Sequence, residues 1–247
     1  MSTFIDLSPP ILDDEPREHP AVQEADAIQF EDRALLSAEA AAWSPEAFAE
    51  EQMRGLVRQL FLPGWLSASR QVLFLPVDPA TEITNFCLRV GQTLTEVVSG
   101  TTCVVQATPH TSAPSNGIAV TSCQKRFGAL RDSCQELSDK LWFMPSEMFL
   151  GRGDTAYPLA GLRARLAELR LEFDYTVLCG PAAASHGEAA LLGGVCDGAV
   201  LVLQAHSTRR VTAQRVKQHL LAAKVHLLGV VLNGRTFPVP EAIYRRA

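Results

Sequence analysis

Residues 71–98 read QVLFLPVDPATEITNFCLRVGQTLTEVV: a short apolar run, a turn and a longer segment with helical periodicity. The run Gln71–Pro76 has the length and the apolar content of a strand that is buried on both faces of a sheet. Thr81–Val98 places apolar residues at the spacing of a helix. A strand, a tight turn and a helix in this order form the repeating unit of a doubly wound α/β fold. The stretch therefore predicts the fold class.

The same alternation continues along the chain. Five further strands are predicted at Thr102–Ala107, Leu141–Pro145, Tyr175–Cys179, Ala199–Leu203 and Leu227–Leu232. A first helix is predicted to begin at Pro45, and its apolar residues extend to Phe61. Further helices are predicted at Phe127–Asp139, Leu159–Leu171, Gly187–Val195 and Arg209–Ala223. Helices between successive strands indicate a mainly parallel sheet covered on both faces.

Charge divides the chain into two parts. Residues 1–51 hold 13 Asp and Glu against 2 Arg, whereas residues 52–247 hold 14 acids against 20 Lys and Arg. Residues 1–44 are rich in Pro, Asp, Glu and Ala, which predicts a largely disordered acidic leader. The α/β domain is expected to occupy residues 45–247. The composition leaves open whether the leader is a solvated tail, a docking peptide or a mask for the basic domain.

Several classes of protein and of site are not indicated by the sequence. It has no apolar run of about 18 residues and no basic, apolar start like that of a signal peptide, so a cytoplasmic location is expected. The six cysteines are widely spaced and form no C-x-x-C pair. Neither a disulfide framework nor a metal site is therefore predicted.

The turn after the first strand stands where a phosphate-binding loop would be expected. Its residues 77–85, VDPATEITN, resemble the turn S-A-x-P-G-E-G-K-S-T of the bacterial exopolysaccharide tyrosine kinases, which are relatives of the MinD/ParA ATPases. On that pattern Ala80 and Glu82 replace glycines, Ile83 replaces the phosphate-binding lysine, and Thr84 takes the place of the magnesium-binding hydroxyl. The chain therefore lacks the close backbone approach and the positive charge that hold phosphate.

Two other strand ends depart from the family pattern in the same way. The resemblance aligns Gln106 and Thr108 with positions where the family carries acids after the second strand. It aligns Cys179 with the Walker B aspartate at the end of the fourth predicted strand. The resemblance thus implies a P-loop NTPase-like fold with no catalytic residues, no metal site and no cofactor.

The C-terminal third carries the strongest part of the resemblance. Cys196–Leu203 is similar to the family's A-D-G strand, and Gly229–Tyr244 is similar to its G-V-V-L-N strand and P-x-P-x-x-I-Y ending. The resemblance covers about residues 50–247. It implies that Thr84 and Asn233 are vestigial nucleotide contacts, although an asparagine after a strand is equally typical of a turn.

Two further groups of residues are candidates for other roles. Cys179, His186 and Glu188 follow one strand and suggest a nucleophile with a base and an acid, but their spacing does not require it. A basic face that could meet anionic lipid, polysaccharide or nucleic acid is formed by Arg209, Arg210, Arg215 and Lys217, together with Arg245 and Arg246. Few aromatic residues lie among them, so a solvated face is favoured and no nucleic acid is expected.

The resemblance implies a non-catalytic scaffold or regulator of exopolysaccharide biosynthesis or export. Its expected partners are the cytoplasmic part of a membrane chain-length or export protein and further copies of the chain. Its expected location is the cytoplasm, at the inner membrane through that partner. Two alternatives stay open: a divergent kinase or ATPase that binds ATP and magnesium, and a MinD/ParA-like positioning factor.

Overall fold

The computed structural model describes residues 45–62, 69–81, 83–108, 130–150 and 159–234. The predicted leader, Glu82 and the P-x-P-x-x-I-Y ending lie outside these residues. The strands are β1 (Gln71–Pro76), β2 (Thr102–Gln106), β3 (Gln135–Ser138), β4 (Leu141–Met144), β5 (Tyr175–Cys179), β6 (Gly198–Gln204) and β7 (Leu227–Asn233). The helices are α1 (Pro45–Phe61), α2 (Ile83–Val97), α3 (Ser146–Leu150), α4 (Leu159–Glu172), α5 (Glu188–Gly193) and α6 (Arg210–Ala222), with a 3-10 turn at Leu130–Ser133.

The seven strands form one sheet in the order β3-β4-β2-β5-β1-β6-β7. All neighbouring strands are parallel except β3 and β4, which form an antiparallel pair at one edge. The predicted doubly wound, mainly parallel α/β fold is therefore confirmed. None of the helices in the described residues is long and apolar enough to cross a membrane.

Two apolar cores cover the two faces of the sheet. One contains Phe61 of α1 and Phe86 of α2, and the other contains Leu166 of α4 and Leu220 of α6. Every residue of β1 is buried, because this strand lies between β5 and β6 and is covered on both faces. The centre of the sheet thus fixes the position of the turn that follows β1.

One predicted element is wrong. The segment 127–139, predicted as a helix, instead contains the 3-10 turn and the exposed edge strand β3 in its described part. Its polar residues follow neither period strongly, and pairing with β4 decides the conformation. The other predicted strands and helices are confirmed with shifts of one or two residues at their ends, while α3 was not predicted.

Asp197 ties together three chain segments at the amino-terminal end of the sheet. Its Oδ2 accepts hydrogen bonds from the backbone N–H groups of Arg70 and Gln71, both at 2.9 Å. Its Oδ1 accepts a hydrogen bond from the Arg170 guanidinium, which also donates to Gln71 Oε1 at 2.9 Å. The aspartate of the A-D-G pattern is therefore a structural residue at the end of the sheet opposite the turn after β1.

Asp174 gives the stability of the fold a defined pH dependence. The backbone N–H of Thr101 donates to Asp174 Oδ2 at 2.8 Å, and this bond lowers the pKa of the carboxyl below its usual value. A lowered pKa means that the carboxylate stabilises the fold above the unfolded-state pKa, near 4, and that this contribution is lost as the pH falls through the folded-state pKa. We expect Asp174→Asn to be less stable than the wild type at neutral pH.

The difference in the free energy of unfolding between the wild type and Asp174→Asn should shrink as the pH is lowered below about 4. Urea denaturation at a series of pH values measures it, with Asp139→Asn as the control because Asp139 is exposed and lies in a turn. A difference between Asp174→Asn and the wild type that does not change with pH would contradict this account.

Candidate functional site

A small cleft lies at the carboxyl ends of β1 and β5, where doubly wound sheets bind their ligands. It has a volume of about 110 Å³, whereas pockets for small molecules and cofactors usually have volumes of roughly 300–1,000 Å³. Its lining contains Pro76, Pro79, Thr81, Ile83, Thr108, Gly180, Pro181, Ala182 and His186. No lysine or arginine is among these residues, so the described part of the lining offers no permanent cation to a polyphosphate.

The turn after β1 is held by backbone hydrogen bonds on both sides. The Val77 N–H donates to the carbonyl of Val202 at 3.0 Å, and the Ala183 N–H donates to the carbonyl of Pro76 at 2.8 Å. Within the turn, the Thr81 N–H donates to the carbonyl of Asp78 at 3.2 Å. The turn is therefore fixed by its neighbours, the segments after β5 and in β6.

Side chains extend this bracing across three strand ends. The Thr208 hydroxyl donates to Asp78 Oδ2 at 2.6 Å and accepts a hydrogen bond from the Gln204 N–H at 2.9 Å. The Asn233 side-chain amide donates to Gln204 Oε1 at 3.3 Å. These four residues, which we call the strand-end network, connect the loop after β1 to the ends of β6 and β7. Within the network, one carboxylate oxygen of Asp78 is therefore already occupied by a hydrogen bond from a protein hydroxyl.

Loss of the Thr208 hydroxyl should destabilise the domain. Thr208→Val leaves the Asp78 carboxylate and the Gln204 N–H without this partner, so we expect the free energy of unfolding to fall by about 1.5–3 kcal/mol. Thr208→Ser keeps the hydroxyl, so its free energy of unfolding should fall by less than half as much. Chemical denaturation of the three proteins measures both effects, and equal stability of Thr208→Val and the wild type would contradict the role of the network.

The residues at the aligned P-loop positions do not form a phosphate cradle. Ala80 is exposed, and Thr84 is half-buried in the first turn of α2. Ile83 is 6% exposed and packs in the core beneath α2. The structure thus places an apolar side chain at the lysine position, between the cleft and the core.

The aligned residues of the other strands are only partly brought to the cleft. Thr108 lines it and Gln106 is half-buried at the end of β2. Cys179 is fully buried and belongs to the core under α2, beside Cys87. Burial, followed by the hydrogen bond to Cys179, raises the pKa of the Cys87 thiol well above its usual value.

The alternative grouping of a nucleophile, a base and an acid is not assembled. His186 lines the cleft, and its Nδ1 lies 3.8 Å from Glu188 Oε2. Cys179 points to the core under α2 and does not line the cleft. Among the described residues, no group of three or more His, Cys, Asp or Glu is placed to hold a metal ion.

Among the described residues of the cleft, Thr81 indicates an unfilled interaction. Its side chain is 6% exposed and lines the cleft, and its Oγ1 is buried without a hydrogen-bond partner. It stands two residues before α2, whose first backbone N–H groups favour an anion. Sequence alignment to a P-loop does not single out Thr81, because its significance depends on burial.

The comparisons with known proteins agree on the fold. No family model matches the chain. The chain is 33% identical over 63 residues to the tyrosine-protein kinase YwqD of Bacillus subtilis (strain 168), which is 26% of this chain and 27% of that protein's length.

Among solved structures, the VpsO kinase domain is 17% identical with a TM-score of 0.60 and covers 77% of this chain and 98% of its own. The MinC:MinD cell division protein complex of Aquifex aeolicus is 12% identical with a TM-score of 0.52, over 72% of each chain. The resemblance of the chain to bacterial tyrosine kinases is thereby confirmed in local sequence and in fold, and its resemblance to MinD-type proteins is confirmed in fold.

Proposed function

We propose that this chain, similar to bacterial tyrosine kinases in fold and in part of its sequence, is a non-catalytic scaffold or regulator of exopolysaccharide biosynthesis or export. The proposal rests on three features of the loop after β1 and of the cleft beside it. Its Asp78 is hydrogen-bonded to Thr208, its neighbour Ile83 is buried, and the adjoining cleft measures about 110 Å³ with no lysine or arginine among its described lining residues.

Loss of phosphoryl transfer follows from the chemistry of this loop. That reaction depends on positioned cations that neutralise the charge of the transferred group. In the described residues the positions aligned after three strands hold Ile83, Gln106, Thr108 and Cys179 instead of a lysine and three acids. Each missing interaction costs several kcal/mol of transition-state stabilisation, and about 1.4 kcal/mol corresponds to a factor of ten in rate.

A domain without catalysis still offers its surfaces to other proteins. The partners we propose are the cytoplasmic part of a membrane chain-length or export protein and further copies of this chain. The proposed location is the cytoplasm, at the inner membrane through that partner. The likeness to MinD alone, at 12% identity, supports the fold and does not favour a positioning factor over this proposal.

Titration of the purified chain with ATP and ADP, with and without magnesium, tests the proposal. We expect binding weaker than millimolar by calorimetry, which is about 4 kcal/mol of binding free energy or less. We also expect no nucleotide-dependent rise in melting temperature. Micromolar, magnesium-dependent binding that is lost in Thr84→Ala would overturn the proposal, since Thr84 occupies the aligned magnesium position.

The second candidate function is a divergent nucleotide-binding protein, and Thr81 is the observation that favours it. An orphan hydroxyl in the cleft, close to the start of α2, is a donor that a phosphate oxygen would satisfy. In this case nucleotide binding would be weakened by Thr81→Val and unchanged by Thr84→Ala. The same titration therefore distinguishes the two functions.

A further inference from the structure

The chain from β6 to β7 carries charge of only one sign. Residues 198–234 contain no Asp or Glu, and their five Lys and Arg residues are Arg209, Arg210, Arg215, Lys217 and Lys224. All five are exposed, and none forms an ion pair with any part of the chain that the structure describes. Because most exposed charges in a protein lie near charges of the opposite sign, this segment produces an unusual positive surface.

The outer side of α6 combines these charges with exposed apolar residues. Val216 and Leu220 face the core, which fixes the orientation of the helix. At 100° per residue, Arg210, Lys217 and Leu221 form a row along one flank of the side that faces away from the core, and Val211 and Arg215 form a row along the other flank. Val211 is 64% exposed and Leu221 is 50% exposed. We call these two rows the α6 surface.

We propose that the α6 surface binds the anionic headgroups of a membrane, with Val211 and Leu221 entering the boundary between headgroups and acyl chains. Charge complementarity supports this partner, because the cytoplasmic leaflet of a membrane is negative and attracts clusters of Lys and Arg. Exposed apolar residues beside those charges are the second feature of helices that lie on membranes.

The shape and composition of the surface favour a membrane over an acidic peptide or a nucleic acid. A bound peptide usually places side chains in pockets, and neither the cleft after β1 nor the open depression of about 340 Å³ near Thr95 and Lys140 contains a residue of α6. Residues 198–234 contain no Phe, Trp or Tyr on which bases could stack. A convex, cationic and partly apolar helix surface suits a fluid lipid layer, which needs no matching pocket.

This inference extends the proposed function from attachment through a partner protein to direct contact with lipid. The test uses the full chain and vesicles without any partner protein, so failure of lipid binding leaves the scaffold proposal unaffected. Conversely, nucleotide binding would overturn the scaffold proposal without bearing on the α6 surface.

Sedimentation of the full chain with phosphatidylcholine vesicles, with and without phosphatidylglycerol, measures the partition coefficient. We expect binding only to the vesicles that contain phosphatidylglycerol, and weaker binding as salt screens the charges. The variant Arg210→Gln/Arg215→Gln/Lys217→Gln should reduce the partition coefficient about 100-fold, because each basic residue near a membrane contributes about a factor of five.

The matched control is Arg89→Gln/Lys140→Gln/Arg163→Gln, which removes three exposed positive charges on other elements, none of them in an ion pair within the described residues. It should bind within a few-fold of the wild type. Arg210→Lys/Arg215→Lys should also bind normally, because a lipid layer responds to charge and not to the shape of the guanidinium.

Three outcomes would overturn the inference. The first is no dependence on phosphatidylglycerol, and the second is an equal loss of binding in the control variant. The third is a duplex DNA that competes the protein off the vesicles and loses its own affinity in the α6 variant, which would assign the surface to nucleic acid.

Discussion

Ile83→Lys, which restores the P-loop lysine of the aligned family pattern, is expected to destabilise the domain and to leave ATP binding weaker than millimolar. Ile83 is 6% exposed and packs with the core that contains Phe86. A lysine there loses apolar contacts and brings an ammonium group next to an apolar core. We expect the free energy of unfolding to fall by about 3–5 kcal/mol.

We expect ATP binding to stay weak in Ile83→Lys, because the missing lysine is one of several defects of the loop after β1. The loop remains fixed by the strand-end network, and the cleft beside it measures only about 110 Å³ in the wild type. Chemical denaturation and calorimetric titration of Ile83→Lys measure the two effects.

Ile83→Met is the control for packing at this site, since it keeps an apolar side chain of similar volume and should cost less than about 1.5 kcal/mol. A stable Ile83→Lys protein with micromolar ATP affinity would show that the loop is a dormant phosphate site, and the scaffold proposal would then fail.

Asp197→Ala is expected to lower the free energy of unfolding by about 2–4 kcal/mol, because one carboxylate satisfies two backbone N–H groups and a guanidinium. Removing it leaves the start of β1 without its acceptor and Arg170 without its carboxylate partner, with the hydrogen bond to Gln71 remaining. Urea denaturation measures the loss, and the melting temperature should fall with it.

Asp197→Asn separates the contribution of the backbone hydrogen bonds from that of the ion pair with Arg170. Its amide oxygen still accepts the backbone hydrogen bonds of Arg70 and Gln71 but cannot neutralise Arg170, so we expect about half of the loss seen with alanine. If Asp197→Ala stays within about 0.5 kcal/mol of the wild type, Asp197 is not an anchor of the fold and the A-D-G pattern needs another explanation.

The sheet could be predicted from the sequence because its central strands are continuous apolar runs. Gln71–Pro76 and Tyr175–Cys179 were predicted with the bounds that the structure shows, since burial on both faces leaves a clear signal. Strand β3 has four exposed residues and carries no such signal. Its conformation depends on the antiparallel pairing with β4, a tertiary interaction that local periodicity does not report.

The candidate site was predictable in position but not in its contacts. The aligned turn identified Ile83 as the replacement of a lysine, and the structure adds that it is buried. The hydrogen bond between Asp78 and Thr208 joins residues 130 positions apart and could not be read from either neighbourhood. Thr81 carries no motif, and only its burial without a partner makes it a candidate.

The strand-end network also bears on the kinetics of partner binding. A loop whose Asp78 is already hydrogen-bonded to Thr208, which is itself linked to Gln204, has little ordering entropy left to lose when another molecule docks beside it. Association with a preformed surface proceeds at about 10⁵–10⁷ M⁻¹s⁻¹. Partners at this end of the sheet would therefore be distinguished by their residence times, which range from milliseconds to days, rather than by how quickly they arrive.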